Sequence, residues 1–284
     1  MSPGVDIAAR LEALTWTDER SAALGDLAFR LPSLSSAGED GGEADSFALL
    51  KDRPIIQAYV DYWRGRPPTA AENVFEIGLW DGGSIALWHE ILKPRTHVGV
   101  DLEDRRSDYF ERYLAAADRG KGIHTYWDVD QADKGRLAEI VARHFSGPLD
   151  LVLDDGSHLY GPTRASMEVL FPLLRPGGLY VVEDWAWGHW GEEFRLHASP
   201  EREGLTRLAG EIAGIVGSSQ EFVASLDVRR PFFVVQRGHD PSRDPIDLDA
   251  IRSWRSRGLG DSRAAWLARR YAGAARRRLG RTGA

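Results

Sequence analysis

Apolar and polar positions along residues 74–236 follow a pattern typical of a parallel sheet covered by helices. Short apolar runs predict buried strands, and the longer segments between them carry apolar residues at helical spacing. The predicted strands span residues 74–77, 96–102, 122–127, 149–153 and 178–182, followed by 222–226 and 231–236. The predicted helices span residues 83–92, 106–117, 133–145, 164–174 and 205–216. This order predicts an α/β fold with a mostly parallel seven-stranded sheet and helices on both faces.

The segments on either side of this pattern are less regular. Spaced Ala and Leu predict one or two short helices within residues 5–31, and Ser, Gly and acidic residues predict a loop over 32–46. An aromatic-rich helix is predicted within residues 46–63. We therefore divide the chain into an N-terminal helical extension and linker (1–50), a core domain (51–238) and a basic C-terminal helical tail (239–284).

Composition narrows the possible chemistry. Hydrophobic residues make up 43% of the 284 residues, which is enough for a substantial core. The chain has no cysteine, which excludes disulfides, thiolate metal sites and cysteine nucleophiles. We find neither an apolar stretch of membrane-spanning length nor a signal pattern, so a cytoplasmic protein with no membrane partner is expected.

Charge is spread unevenly along the chain. The net charge is -7, but residues 251–284 hold ten arginines and one aspartate, which leaves a strongly acidic body. An acidic body argues against nucleic acid as a partner of the main domain. We expect the basic tail to be a solvated helix face or to dock on that body, although RNA, a membrane or an acidic partner remain alternatives.

A glycine-rich turn follows the first predicted strand. In Glu76-Ile-Gly78-Leu-Trp-Asp-Gly82-Gly83-Ser84, Gly78 permits a sharp turn, and Gly82 and Gly83 let the backbone approach a ligand and open a helix. The spacing is not that of a dinucleotide-binding loop. Taken alone, this segment also fits a tight structural turn.

Acidic residues follow the next two strands. Asp101 ends an apolar run about 23 residues after Gly78, where a carboxylate can accept hydrogen bonds from ribose hydroxyls. Asp128 and Asp130 follow the third strand, and either of them is also suited to cap the following helix.

Two further strands end in carboxylates. Asp154 and Asp155 follow the fourth strand, and Glu183 and Asp184 follow the fifth. Adjacent parallel strands would bring Asp155, Glu183 and Asp184 to one rim, where they would repel one another unless they are protonated or bound to a cation. Oxygen ligands suit a hard divalent ion, so we predict a Mg²⁺ site.

The glycine segment resembles the S-adenosylmethionine (SAM) loop of class I SAM-dependent methyltransferases. The resemblance implies a Rossmann-like class I methyltransferase fold with SAM as cofactor. It implies that Glu76, Gly78, Gly82 and Ser84 line the cofactor and that Asp101 binds its ribose. An acid after the third strand contacts the adenine amino group in this family, which favours Asp128, with Asp130 competing.

The segment Asp154-Asp155-Gly-Ser-His158 resembles the Mg²⁺-dependent macrolide-sugar and rhamnosyl O-methyltransferases. The resemblance covers roughly residues 50–237. It implies that Asp155, Glu183 and Asp184 bind the metal and that His158 is the catalytic base, with Tyr160 as a weaker alternative. Asp154 is expected either to bind the methionine amine of SAM or to orient Asp155.

The segment Pro54-Ile-Ile-Gln57 resembles one in cephalosporin-hydroxylase-like and sugar O-methyltransferase-like proteins. In those relatives the segment helps to close the cofactor site. The resemblance therefore adds Gln57 to the expected cofactor-binding residues.

The favoured function is Mg²⁺-dependent transfer of the SAM methyl group to a hydroxyl, with His158 as general base, on a sugar of a glycosylated natural product. Three tryptophans, Trp185, Trp187 and Trp190, are suited to form an apolar wall for such a small-molecule acceptor. The alternatives are a SAM-fold protein of the cephalosporin-hydroxylase-like group, a catechol-type O-methyltransferase and a non-catalytic SAM-binding subunit. Relatives of this kind are often oligomeric, which implies a homo-oligomer.

Overall fold

The computed structural model describes residues 4–32, 45–67, 71–116, 119–189, 204–219 and 221–251. Within these residues a sheet of seven strands forms the centre of the fold, in the order β10-β11-β9-β8-β5-β6-β7. Its strands are β5 (Asn73–Ile77), β6 (Thr96–Val100), β7 (Ile123–Tyr126), β8 (Leu149–Asp154), β9 (Leu174–Glu183), β10 (Val223–Val228) and β11 (Phe232–Arg237). The first five are parallel, and β11 runs antiparallel to both β9 and β10. The predicted mostly parallel seven-stranded sheet is confirmed, and its last two strands pair as an antiparallel hairpin.

The chain changes direction across the sheet at β5. It proceeds from β5 through β6 to β7 on one side, and then crosses to β8 and β9 on the other. In an open parallel sheet, ligands bind beyond the carboxyl ends of the strands at such a switch point. The ends of β5 and β8 are therefore where a site is expected.

Helices cover both faces of this sheet. The main ones are α2 (Arg53–Trp63), α3 (Gly83–Leu92), α4 (Asp108–Ala115), α5 (Lys134–His144), α6 (Tyr160–Leu170) and α7 (Leu205–Ser218), and a short α8 (Leu248–Ile251) follows. Side chains alternate between the two faces of the sheet along each strand, and each face has its own buried cluster. Val74 belongs to one cluster with Trp88 of α3, and Phe75 belongs to the other with Leu170 of α6. The strands thus bury both faces, as near-continuous apolar runs predict.

The N-terminal prediction was only partly right. One short helix, α1 (Ile7–Glu12), is present, but three short strands follow it: β1 (Thr15–Trp16), β2 (Ser21–Leu24) and β3 (Leu27–Arg30). β2 and β3 form an antiparallel hairpin that turns at Gly25, whose φ is +62°. Glycine adopts this left-handed conformation readily, so the turn supports a hairpin where Ala and Leu spacing had predicted a helix.

The N-terminal segment packs into the core of the main domain. A fourth strand, β4 (Phe47–Ala48), pairs in parallel with β3. Phe47 is fully buried, and its ring centroid lies 4.6 Å from that of Tyr109 on α4. The boundary predicted at residue 50 remains a prediction, since residues on both sides of it share one cluster.

The structure describes only part of the predicted linkers and tail. Residues 33–44 of the first linker and residues 252–284 of the tail lie outside the described residues. The start of the tail region packs against α6, because Ile246 N–H donates to the carbonyl of Glu168 and Leu248 N–H donates to its carboxylate. In the part of the chain that the structure describes, no helix has the length and apolar character needed to cross a bilayer.

Candidate active site

The glycine loop after β5 is packed closely against neighbouring protein. Gly78 has a φ of +88°, and a Cβ atom there would lie 2.1 Å from the carbonyl oxygen of Asp155. Gly82, with a φ of +101°, opens α3, and a Cβ there would lie 2.3 Å from the ring of Phe110. Both glycines are thus required by protein contacts. The prediction that Gly82 opens a helix is confirmed, but the atom it approaches belongs to Phe110.

Two carboxylates brace this loop through its backbone. Asp101, at the end of β6, accepts hydrogen bonds from the N–H groups of Leu79 and Trp80 at 2.7 and 2.9 Å. Asp81, which is fully buried, accepts from Gly83 N–H and from Ala48 N–H in the N-terminal segment. Burial raises the pKa of Asp81 to about 6. The loop is therefore held in shape before any ligand arrives.

Ser84 has a buried hydroxyl at the start of α3. Its side-chain oxygen has no hydrogen-bond partner among the residues that the structure describes. Buried polar atoms in native proteins are nearly always paired, so a lone hydroxyl at a helix N-terminus suggests a missing ligand. This placement fits the predicted contact between Ser84 and the cofactor.

Glu76 lies on β5, just before the glycine loop, and its predicted contact with the cofactor remains a prediction. It is fully buried in the middle of the sheet, and its carboxylate lies 3.1 Å from the Nε2 atom of His97 on β6. Because side chains alternate between the two faces of the sheet along β5, Glu76 lies on the same face as Val74.

The acids after β7 lie at the surface. Asp128 is exposed in a left-handed conformation with a φ of +59°, and Asp130 accepts a hydrogen bond from the N–H of Ala132. Sequence reasoning missed Gln131, which is buried beside them. Its side-chain amide donates to Asp154 at 3.1 Å and accepts from Ser157 N–H at 2.8 Å. Its position just after a predicted strand was the available signal.

Asp154 lies in a buried polar network below the site. Its carboxylate accepts hydrogen bonds from Tyr180 at 2.7 Å, Ser166 at 3.0 Å and Gln131, and burial raises its pKa to about 6. Asp154 thus has three protein donors, and its two predicted roles, binding the methionine amine or orienting Asp155, remain predictions. Asp154 and Gln131 also anchor the loop of residues 155–158.

Gln57 is exposed on α2. Its amide donates to Asp61 of the same helix at 3.0 Å. The structure does not bring it to the glycine loop, and its role in closing the cofactor site remains a prediction.

Asp155, His158 and Asp184 converge beyond the ends of β8 and β9. One ligand atom from each lies within 4.8 Å of those of the other two, a spacing that fits a single divalent cation. The Nε2 atom of His158 lies 4.0 Å from Oδ1 of Asp155. Burial, followed by the charge of Asp155, raises the pKa of Asp184 above its ordinary value, as expected where carboxylates crowd together. The structure thus brings these three predicted site residues to one point.

His158 is held in a strained, partly buried position. Its φ is +55°, and its ring lies edge-on to Trp187 with centroids 4.6 Å apart. Burial lowers the pKa of His158, so the imidazole is neutral at physiological pH. A neutral imidazole held in this way can accept a proton.

Glu183 is separated from this cluster by a lysine that sequence reasoning missed. Both of its carboxylate oxygens accept hydrogen bonds, from Tyr59 O–H at 2.8 Å and from Lys51 Nζ at 2.8 Å. Lys51 also donates to Asp155 at 2.6 Å. A single lysine ahead of a helix carries no recognisable sequence signal for this role.

The structure describes two of the three tryptophans that were predicted to form an aromatic wall. Trp187 borders His158, and Trp185 donates through its indole N–H to the carbonyl of Arg229 at 2.8 Å. Trp190 lies outside the described residues. Of these two tryptophans, Trp187 contacts a site residue directly, and the role of the tryptophans as an acceptor wall remains a prediction.

Comparison with known proteins agrees with this geometry. Residues 75–185 match the family model described as a methyltransferase domain. Demethylmacrocin O-methyltransferase of Streptomyces fradiae is 36% identical over 155 residues, which cover 52% of this chain and 35% of that protein. Mycinamicin VI 2''-O-methyltransferase of Micromonospora griseorubida is 35% identical over 125 residues, or 42% of this chain and 28% of that protein.

The aligned part of the chain spans only about a third of the length of these curated relatives. Among solved structures, the MycE methyltransferase of the mycinamycin pathway, in complex with Mg and SAH, has a TM-score of 0.49 and 28% identity. That alignment covers 74% of this chain and 56% of MycE. Residues 75–185 are thus similar to methyltransferase domains, and part of the chain is similar to curated sugar O-methyltransferases.

Proposed function

We propose that the protein transfers the methyl group of SAM to a hydroxyl of a sugar on a glycosylated natural product, assisted by a divalent cation such as Mg²⁺. The observation that carries this proposal is the convergence of Asp155, His158 and Asp184 at the rim beside Gly78. The names of the relatives support the acceptor class, because they act on macrolide and on rhamnosyl tetracenomycin substrates.

The cofactor would lie along the glycine loop. Ser84 offers there a hydroxyl that has no hydrogen-bond partner within the described ranges, and Asp101 lies at the end of the adjacent strand with its carboxylate already braced by the loop. Asp128, which is exposed after β7, would accept a hydrogen bond from the adenine amino group. These roles follow from position and remain part of the proposal.

Asp155 and Asp184 would hold the cation through their carboxylate oxygens. A divalent ion bound there would orient a sugar hydroxyl and lower its pKa. Mg²⁺ prefers oxygen ligands over imidazole, which leaves His158 free of the metal.

His158 would act as the general base. Its lowered pKa keeps it unprotonated at neutral pH, and the contact with Trp187 fixes its ring. It could thus take the proton from the hydroxyl as the oxygen attacks the methyl carbon of SAM. The arrangement also aligns the two reactants, which supplies a large share of catalysis in transfers of this kind.

Trp185 and Trp187 would line the acceptor side. An apolar wall suits the ring system that carries the sugar, whereas a free monosaccharide would not need it. The predicted homo-oligomer stays a prediction, and light scattering on purified protein would test it.

The test is a methylation assay on glycosylated macrolides and rhamnosylated polyketides. With SAM and Mg²⁺ together, we expect a product heavier by one methyl group in mass spectrometry, and no product in chelator. His158→Ala should lower turnover by about 100-fold or more, the scale of a general base, with SAM binding nearly unchanged. His124→Ala, which removes an exposed imidazole on β7, is the matched control.

Three results would contradict the proposal. Full activity in chelator would exclude the role of the cation. Full activity of His158→Ala would exclude His158 as the base, and failure to bind SAM in calorimetry would reject the cofactor assignment altogether.

A further inference from the structure

Glu211 is a buried carboxylate on α7, outside the acid cluster at the ends of β8 and β9. Its side chain is only 2% exposed, and both of its oxygens lie 3.0 Å from the hydroxyl of Tyr160 on α6. Arg207 donates to the same carboxylate at 2.9 Å from one turn earlier on α7. An unpaired charge would be costly at such a buried position, so these partners stabilise Glu211 there. The hydrogen bond from Tyr160 joins the first residue of α6 to α7.

The hydroxyl of Tyr160 is occupied by protein partners as donor and as acceptor. It donates to Glu211, and it accepts from the guanidinium group of Arg164 at 2.9 Å. Arg207 lies over the ring, 4.7 Å from its centroid. Burial raises the pKa of Tyr160, although the hydrogen bond from Arg164 acts in the opposite direction. The hydroxyl is therefore better suited to anchor α6 than to act as the alternative base.

His158 lies two residues before this anchor, in a backbone conformation that needs support. Its φ of +55° is uncommon for a residue with a side chain, and such conformations persist only where the surrounding structure holds them. On the strand side, Gln131 accepts a hydrogen bond from the N–H of Ser157 at 2.8 Å. On the helix side, the N-cap residue is Leu159, whose apolar side chain cannot cap α6. The next polar side chain that bonds to another element is that of Tyr160.

The ring of His158 depends on the same support. It lies edge-on to Trp187 with centroids 4.6 Å apart, and a change in the backbone at His158 would carry the ring away from this contact. Only two peptide units, which span at most about 7 Å, separate the α-carbons of His158 and Tyr160. The bond between Tyr160 and Glu211 therefore limits the positions that the imidazole can take.

We propose that Tyr160 and Glu211 are positioning residues for His158, which hold its imidazole in place for proton transfer by fixing the start of α6 on α7. This rests on the proposed function, in which His158 is the general base. Both residues act through the backbone of residues 158–160 and do not touch the reacting atoms. The position of the ring, and not the binding of SAM, should therefore depend on the hydroxyl of Tyr160.

The first test follows the ring of His158 by NMR, on the full chain with ¹⁵N-labelled histidine and without acceptor or cation. The chain has eight histidines, and the signals that disappear in His158→Ala identify this ring. The indole of Trp187 displaces these signals through its ring current, so their positions report the contact. Tyr160→Phe keeps the aromatic ring beneath Arg207 and removes only the hydroxyl. We expect it to shift the His158 signals towards those of an exposed histidine.

The second test compares the kinetic constants for methyl transfer. We expect Tyr160→Phe to lower kcat about 10- to 100-fold, the scale of a misplaced catalytic group, while KM for SAM stays within about twofold of the wild type. Glu211→Gln keeps an oxygen that accepts from Tyr160 but loses the charge, so its loss of kcat should be smaller than that of Tyr160→Phe. A purely structural role would change stability without separating kcat from KM in this way.

Tyr113→Phe is the matched control. The hydroxyl of Tyr113 on α4 donates to Glu90 on α3 at 3.2 Å, so this variant also breaks a tyrosine–glutamate hydrogen bond between two helices. We expect its kcat and its His158 signals to equal those of the wild type. Equal effects of Tyr113→Phe and Tyr160→Phe would overturn the inference, because the site would then respond to the loss of any such bond.

Two further results would overturn the inference. Unchanged His158 signals and kcat in a folded Tyr160→Phe protein would show that the bond to Glu211 only stabilises the fold. Displaced signals in Glu211→Gln, with none in Tyr160→Phe, would exclude the hydroxyl as the connection. Absence of methyl transfer by the wild type would reject the proposed function, whereas displaced His158 signals in Tyr160→Phe would still support the positioning of the ring.

Discussion

The geometry of the site depends on the absence of a side chain at Gly78. Its α-carbon lies where any larger residue would press on the backbone of Asp155, the residue at the centre of the acid cluster. The contact links the cofactor loop to the proposed metal site. A change on one side is therefore transmitted to the other without any intervening side chain.

Gly78→Ala is predicted to lower the free energy of unfolding by about 2–5 kcal/mol, because it combines a left-handed backbone with a steric clash. It should also weaken SAM binding in calorimetry. The control is Gly210→Ala on the exposed face of α7, where a Cβ meets nothing within 4 Å. The free energy of unfolding of Gly210→Ala, measured in urea, should rise by about 0.5–1 kcal/mol. Similar losses of unfolding free energy in Gly78→Ala and Gly210→Ala would show that the contact between Gly78 and Asp155 is not the cause.

The predictable and the unpredictable site residues differ in a physical way. Asp155, His158 and Asp184 follow apolar strands closely in sequence, and parallel strands bring such positions to one edge. Lys51 lies before a helix, and its partners come from strands far along the chain. Local sequence patterns therefore indicate the residues that follow the strands, but they carry no information on Lys51. Strand alternation, not motif position, decides which face of the sheet Glu76 occupies.

At the scale of elements, Asp81 connects the start of α3 to the strand β4. Its carboxylate accepts one backbone hydrogen bond from each side, within a buried setting. The folded protein holds the proton of Asp81 more tightly than the unfolded chain does, since burial raises its pKa from 3.8 to about 6. The resulting stabilisation is present below about pH 4 and is lost as the pH rises to about 6.

Comparison with Asp81→Asn should isolate this effect. Between pH 4 and pH 7 the wild type should lose more free energy of unfolding than the variant, by a difference of the order of 1–3 kcal/mol. Asp154, whose pKa is raised as well, is present in both proteins and cancels. Urea unfolding at several pH values measures the difference, and parallel pH profiles would show that Asp81 contributes nothing.

The elements themselves were predicted with uneven success. Helix α3 begins and ends where its apolar spacing predicts, at residues 83 and 92, because the glycine pair and the left-handed Lys93 set its ends. The segment at 5–31 failed because its strands are only two to four residues long. Such strands are too short to show alternation, and the hairpin is stabilised by packing rather than by local propensity.

At the scale of the whole molecule, one of the two buried clusters continues from the N-terminal segment to the face of the sheet that carries Val74. Phe47 lies at the junction, with Phe29 of β3 on one side and Tyr109 of α4 on the other. Residues outside the matched domain therefore contribute to its stability. We expect the two parts to unfold together.

Phe47→Ala is predicted to cost about 3–5 kcal/mol, as for other buried aromatic residues. Urea unfolding followed by tryptophan fluorescence and circular dichroism should show one shared transition. Val228→Ala, at a position that is 49% exposed, should stay within about 0.5 kcal/mol of the wild type. Two separate transitions, with only the first shifted by Phe47→Ala, would show that the N-terminal segment folds independently.

The pairing of Lys51 with Glu183 also sets an order of events during synthesis. The two residues are 132 positions apart. At translation rates of about 5–20 residues per second, Lys51 emerges roughly 7–26 s before its second carboxylate exists. The nascent N-terminal segment must therefore wait for most of the sheet to be made. The acid cluster cannot assemble until Asp184 has been made, and chaperones would meet the chain before the proposed site is formed.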